Sequence, residues 1–195
     1  MQCIVPDKNF RYLADCWKPP SVVPAVLKVT DIAGLIKGAS EGAGLGNAFL
    51  SHIAAVDGIY HLVRDFESEE VIHVDDSVNP IRDLETIQGE LCAKDKDTLE
   101  KVLEKEKERV RKEKGLSRQA TNFTLPEAFT SAHEKCVKLV ESNTPIQTGD
   151  FTSSEVECIR DFGCITTKPQ IYVVNLSKKS FLRKGSKWSP KIADW

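Results

Sequence analysis

The stretch DIAGLIKGASEGAGLGNAF, Asp31 to Phe49, carries five glycines directly after the apolar run AVLKV, Ala25 to Val29. Glycine loses more backbone entropy on folding than any other residue, so a cluster of them at the end of a strand needs a purpose. In an open parallel α/β sheet, ligands sit beyond the carboxyl ends of the strands. Asp31 stands where such a sheet would hold a metal, and Gly34 would let backbone N–H approach a terminal phosphate with no Cβ in the way. The later glycines, Gly38, Gly42, Gly44 and Gly46, would let the loop reorder when that phosphate leaves. Taken alone, DxxG also reads as a plain strand-to-turn junction.

Three runs read as buried parallel strands: AVLKV, GIYHLV (Gly58 to Val63) and QIYVVN (Gln170 to Asn175). Each is short, rich in β-branched or aromatic residues and bounded by turn signals. Phe49, Leu50, Ile53 and Ala54 form one apolar face after the glycine loop, so the order strand, loop, helix, strand predicts a right-handed βαβ crossover. The fold class expected is α/β with an open parallel sheet.

The middle of the chain differs. DTLEKVLEKEKERVRKEK (Asp97 to Lys114) is mostly charge, with Leu99, Val102, Leu103 and Val110 as a narrow apolar stripe. A matching stripe lies in LPEAFTSAHEKCVKLV, where Leu125, Ala128, Phe129, Ala132, Cys136 and Val140 recur at three- and four-residue intervals, with Pro126 suited to the first turn. Gly115 to Thr124 is the connecting loop. The expectation is an antiparallel helical hairpin over 83–141, inserted between a first sheet segment, 1–82, and a return to the sheet, 142–195. In the last segment TSSE (Thr152 to Glu155) reads as a capping box, with Gly163 as the helix stop.

Composition narrows the function classes. The 195 residues are 41% hydrophobic and 29% charged with a net charge of -2, which suits a folded domain and gives no whole-chain field to attract nucleic acid or anionic membrane. No sequence-specific nucleic-acid binding and no membrane partner are expected. No apolar run approaches the roughly 20 residues of a membrane span, and MQCIVPDKNF lacks a signal-peptide pattern, so the chain reads as cytoplasmic. Six cysteines, Cys3, Cys16, Cys92, Cys136, Cys158 and Cys164, form no CxxC pair and read as reduced thiols.

The longer string DIAGLIKGASEGAGLGNAFLSHI, followed by DGIYHLVRDF, VIHV, SVNPIRDLETIQGEL and KPQIYVVNLS, resembles the Obg-like ATPases, the YchF group of the translation-factor-related P-loop NTPases. The resemblance is collinear over nearly the whole chain, specific in the glycine loop and loose between Lys94 and Thr167. It implies a G-domain-like P-loop NTPase fold with Mg²⁺ as cofactor. Asp31 would hold the Mg²⁺ through water, and Gly34 would contact the γ-phosphate in a segment corresponding to the second switch. Leu35 follows that glycine where related GTPases often have a water-orienting polar residue; an aliphatic side chain cannot do this by hydrogen bonding. His73, in VIHV, resembles the loop histidine proposed for that role, although a single histidine near an apolar stretch is more often structural. His61 and His52 read as packing or surface residues.

The tetrad NLSK, Asn175 to Lys178, follows the third strand where this fold reads the nucleobase. GTP-specific relatives meet the N1 and N2 donors of guanine with a carboxylate three residues after the Asn; here that place is Lys178, a donor only. The sequence resembles the Obg-like ATPases in Asn175, Leu176 and Ser177, while they usually carry Glu at the fourth position. The resemblance therefore implies ATP in preference to GTP, and leaves the adenine geometry open.

No GxxxxGK[ST] occurs in these residues; the nearest string, KGSKW (Lys184 to Trp188), lacks the first glycine, the spacing and a preceding strand. The expectation is an internal fragment of an Obg-like ATPase that lacks the phosphate cradle and the small C-terminal domain; a degenerate relative is the other reading. Two functions stand. One is an ATP (GTP) hydrolase linked to translation or stress regulation, inactive as this chain alone. The other is an interaction module docking on a ribosome or translation-factor partner through the basic edge of the hairpin: Lys105, Lys107, Arg109, Arg111, Lys112 and Lys114.

Overall fold

A computed structural model describes residues 1–32, 51–67, 77–115 and 123–195. The chain falls into two units, Met1–Gly34 and Leu35–Trp195.

In the first unit, β1 (Gln2–Ile4) pairs antiparallel with β2 (Val26–Lys28), Cys3 opposite Leu27. Among the described residues this corrects the expectation for AVLKV, which pairs antiparallel rather than parallel and is not buried. A strand's backbone donors and acceptors must find partners, and the nearest extended segment supplies them. The pairing is closed by the Met1 ammonium donating to the Val29 carbonyl at 2.7 Å and by Val5 N–H donating to the Ala25 carbonyl at 2.9 Å. Between the strands runs α1 (Lys8–Trp17), which the sequence reading missed. Asp7 caps it by accepting from the N–H groups of Asn9 and Phe10 at 2.8 and 3.2 Å. It ends at Lys18, in the left-handed region at φ 42°. No residue of α1 is buried, and Tyr12, Leu13 and Trp17 are exposed.

The second unit holds a parallel pair, β3 (Ile59–Asp65) and β4 (Gln170–Leu176), in register from Ile59 opposite Gln170 to Asp65 opposite Leu176. Between them lie α2 (Pro80–Glu113), α3 (Glu127–Glu141), a 3₁₀ turn (Ile146–Thr148) and α4 (Ser153–Phe162); α5 (Lys178–Leu182) and α6 (Ser189–Asp194) follow β4. Helix α2 starts at Pro80, capped by Asn79, and reaches 34 residues, longer than the charged run alone suggests. It packs antiparallel on α3: His133 Nε2 meets the Leu99 carbonyl at 3.0 Å, Lys96 pairs with Glu141 at 3.2 Å, and Lys114 reaches the Thr124 carbonyl at 3.5 Å.

The core is Cys92 and Leu99 of α2, Phe129, Ala132, Cys136 and Val140 of α3, then Ile146, Ile159, Phe162 and Cys164. Leu99 and Val110 of the α2 stripe are buried while Val102 and Leu103 are half-buried, and the cysteines are all free. The capping box forms as read. Thr152 N–H donates to Glu155 Oε2 at 2.7 Å, Glu155 N–H donates to Thr152 Oγ1 at 3.4 Å, and Gly163 ends α4 at φ 71°.

Helix α2 packs on β3, so the face carrying His61, Val63, Tyr172 and Val174 is partly covered. The opposite face is open: Tyr60, Leu62, Ile171 and Val173 are 54%, 66%, 56% and 40% exposed. That corrects the expectation of strands buried on both faces. A parallel strand reads as continuously apolar because helices cover both its sides, and among the described residues helices cover only one.

Candidate functional site at the carboxyl end of the parallel pair

β3 and β4 end level, at Asp65 and Leu176, so their continuations leave from one edge of the sheet. On the β4 side the chain turns at once. Ser177, extended at φ -64° and ψ 151°, caps α5: its Oγ accepts from Ser180 N–H at 3.1 Å and donates to Ser180 Oγ at 3.0 Å. Asn175 lies opposite Arg64 on the open face of the sheet; it is exposed and makes no side-chain hydrogen bond among the described residues. Leu176 is half-buried on the other face, opposite Asp65. Lys178 is the first residue of α5 and is exposed. The capped turn thus presents an amide side chain, an apolar residue and a hydroxyl in succession.

Beside the turn is a cleft of about 430 Å³ lined by Asp65, Phe66, Ser177, Arg183, Ser186 and Trp188, among others. Asn175 is not part of its wall. KGSKW forms the far side. Lys184 and Gly185 take left-handed φ values of 61° and 154°, which turns α5 toward α6. Ser186 Oγ donates to the buried Asp65 carboxylate and accepts from Trp188 N–H at 2.9 Å and Ser189 N–H at 3.3 Å, while Ser186 N–H donates to Ser189 Oγ at 2.9 Å. The N–H groups of Lys184, Gly185, Ser186 and Trp188 are thereby used within the loop and by α5, which accords with its lack of the phosphate-loop pattern. The sequence reading missed Asp65 as a lining residue. Its signal was the RD that directly follows the GIYHLV run.

Asp31 is exposed, three residues past β2, in the first unit. Gly34, Leu35, Gly38, Gly42, Gly44, Gly46 and His73 lie outside the described residues. Among the described residues no three His, Cys, Asp or Glu side chains come together as metal ligands. Among the described residues, the carboxylate that the sequence reading offers to a magnesium ion is that of Asp31. That fits an ion that keeps most of its waters and arrives on nucleotide phosphates, since Mg²⁺ is usually held by one or two carboxylates plus substrate oxygens. His61 is half-buried, 5.3 Å from the Tyr172 ring, and burial lowers its pKa. It packs, as read. His52 is exposed.

A glycine-rich stretch after a strand, a parallel α/β pair and a capped turn at its carboxyl end define a nucleotide-type α/β architecture. The family described as 50S ribosome-binding GTPase matches residues 11–112, just over half of the chain, and the chain belongs to that family. It is 46% identical over 192 residues to Obg-like ATPase 1 of Schizosaccharomyces pombe, covering 98% of this chain and 48% of that protein. It is 42% identical over 193 residues to Obg-like ATPase 1 of Homo sapiens, covering 98% of this chain and 47% of that one. The solved structure of the Schizosaccharomyces pombe YchF GTPase superposes with a TM-score of 0.74 at 45% identity, over 100% of this chain and 50% of that chain. The fold is the P-loop NTPase-like α/β fold, and the resemblance to the Obg-like ATPases holds. The chain spans about half the length of the curated relatives it matches.

Proposed function

We propose that this chain contributes the metal-binding switch and the base-reading turn of a purine nucleotide hydrolase that prefers ATP to GTP. The carrying observation is the turn after β4, where Ser177 caps α5 and Asn175 stands exposed with its amide unengaged among the described residues. In this reading Asn175 and Ser177 approach the base, and Leu176 packs beside it. Asp31 holds Mg²⁺ through water and Gly34 meets the γ-phosphate. The bound Mg²⁺ would supply charge neutralisation at the phosphates. Leu35 cannot orient the attacking water, so that task falls to His73.

The family description and the Obg-like relatives support nucleotide chemistry and a ribosome-linked role. The helical hairpin is the element proposed to meet the translational partner. Within its basic edge, Arg109 is paired with Glu106 and Glu113 at 2.5 and 2.7 Å and Lys107 with Glu104 at 2.6 Å. This partial self-neutralisation weakens the purely electrostatic docking reading.

Most phosphate contacts in such proteins come from a glycine-rich cradle of backbone N–H groups. The 195 residues alone should therefore bind MgATP negligibly by calorimetry. Joined to a strand bearing GxxxxGK[ST], they should bind it, and Asn175→Ala should weaken that binding about tenfold. Micromolar binding by the 195 residues, or an Asn175→Ala chimera as tight as its parent, would refute the assignment.

A further inference from the structure

Lys168 makes three hydrogen bonds that no part of the nucleotide reading uses. Its ammonium donates to the carbonyls of Ile53, Ala54 and Val56 at 3.0, 2.6 and 2.6 Å, engaging all three donors. The first two end the helical turn at 51–54 and the third lies just past it, where Ala55 and Val56 N–H groups close weak bonds of 3.2 and 3.4 Å to the His52 and Ile53 carbonyls. A lysine at a helix carboxyl end meets orphan carbonyls and the negative end of the helix dipole together.

The backbone that carries Lys168 is itself held from the other side. Asp95 of α2, fully buried, accepts from Ile165 N–H at 2.6 Å, Thr166 N–H at 2.7 Å and Thr166 Oγ1 at 2.6 Å. Thr166 Oγ1 also accepts from Ile146 N–H at 3.1 Å. Lys168 N–H donates to the Ile165 carbonyl at 3.1 Å, and the Pro169 carbonyl accepts from Ile59 N–H at 2.9 Å, at the first residue of β3. One short segment, 165–169, is thus fastened to α2 by a carboxylate and to the turn before β3 by an ammonium.

We infer that Lys168 is a positioning residue, one arm of a two-armed bracket that couples the α2–α3 hairpin to the helical turn at 51–54. A load that shifts α2 moves Asp95, and with it the segment whose lysine holds the turn. Ile53 anchors the turn by its buried side chain, while the backbone bonds that close it are long, so its carbonyls lean on the ammonium. The inference stands without any nucleotide, so its failure and that of the proposed function are separable.

The test is amide hydrogen exchange in the 195-residue chain. In Lys168→Ala, the amides of Ala55 and Val56 should exchange about tenfold faster or more, the scale of one lost charge-assisted hydrogen bond, while Ala132 and Cys136 in α3 stay unchanged. Added ethylammonium should restore slow exchange, since the three carbonyls still form a cage for a small ammonium. Asp95→Asn should speed exchange at Ala55 and Val56 although Asp95 touches neither. If Lys168→Ala fails to fold, Lys168→Met, which keeps the stem and drops the charge, carries the same comparison; if Asp95→Asn fails, Thr166→Val does. Unprotected Ala55 and Val56 in the parent chain, no change on removing the ammonium, or an Asp95→Asn effect confined to 165–166 would each overturn the bracket.

Discussion

Glu155 shows how one side chain serves two elements. Its carboxylate closes the α4 capping box, pairs with Lys135 at 2.8 Å and accepts from Ser131 Oγ at 2.6 Å, both on α3. Lys135 first, then Ser131 and the Thr152 N–H, pull its pKa down to about 2 from 4.5. The folded chain therefore binds fewer protons at this site than the unfolded one. The linked stability is fully present above about 4.5 and is lost as pH falls toward about 2. Glu155→Gln should flatten the acid dependence of helix content in that window, as read by circular dichroism; an unchanged acid profile would remove Glu155 from the account. Lys178 makes a different residue-scale statement. Guanine's N1 and N2 donors would go unpaired against it at roughly 1–3 kcal/mol, which adenine avoids. In a chimera that carries a phosphate loop, ATP should outcompete GTP by about tenfold. Lys178→Asp should narrow or reverse that ratio, and an unaltered ratio would retire the residue as a determinant.

At the scale of elements, α2 illustrates why charge-rich helices still need a stripe. Its surface pairs, such as those of the half-exposed Arg109 with Glu106 and Glu113, are screened by solvent and contribute little. Leu99, fully buried against α3, is a different case: truncating such a side chain costs about 2–5 kcal/mol. Leu99→Ala should therefore lower the denaturation midpoint of the helical signal strongly, while Arg109→Ala shifts it little. Comparable effects from both would mean that the hairpin is held by its ion pairs rather than by its seam. The stripe and its partner were legible because both repeat at helical spacing. The extension of α2 back to Pro80 was legible only as a cap: Asn79 before Pro80, then Asp83 in the first turn.

Among the described residues, each unit leaves apolar surface open. In the first unit Ile4, Tyr12, Trp17 and Val23 are 67%, 67%, 81% and 79% exposed, and in the second the open sheet face presents Tyr60, Leu62, Ile171 and Val173. Unpaired strand edges beside such a face template association with other chains. The 195 residues by themselves should self-associate and bind 8-anilinonaphthalene-1-sulfonate, and a Leu62→Lys, Ile171→Glu variant should reduce both. A soluble monomer with a single cooperative thermal transition would contradict this.

The sequence by itself determined what depends on near neighbours. Gly163 as a helix stop, the TSSE capping box and the two matched stripes are local patterns, and each holds in the structure. The short apolar runs were legible as strands for the same reason, since β-branched and aromatic residues between turn signals restrict the backbone locally. Which strand each would pair with was not legible. A run such as AVLKV states only that it seeks partners, and tertiary contacts alone decided that it pairs with Gln2–Ile4 while β3 pairs with β4. Asp95 and Lys168 were invisible for the same reason. The groups that Asp95 engages lie 70 and 71 residues away and those of Lys168 112 to 115, and no local pattern encodes contacts at such distances in the chain.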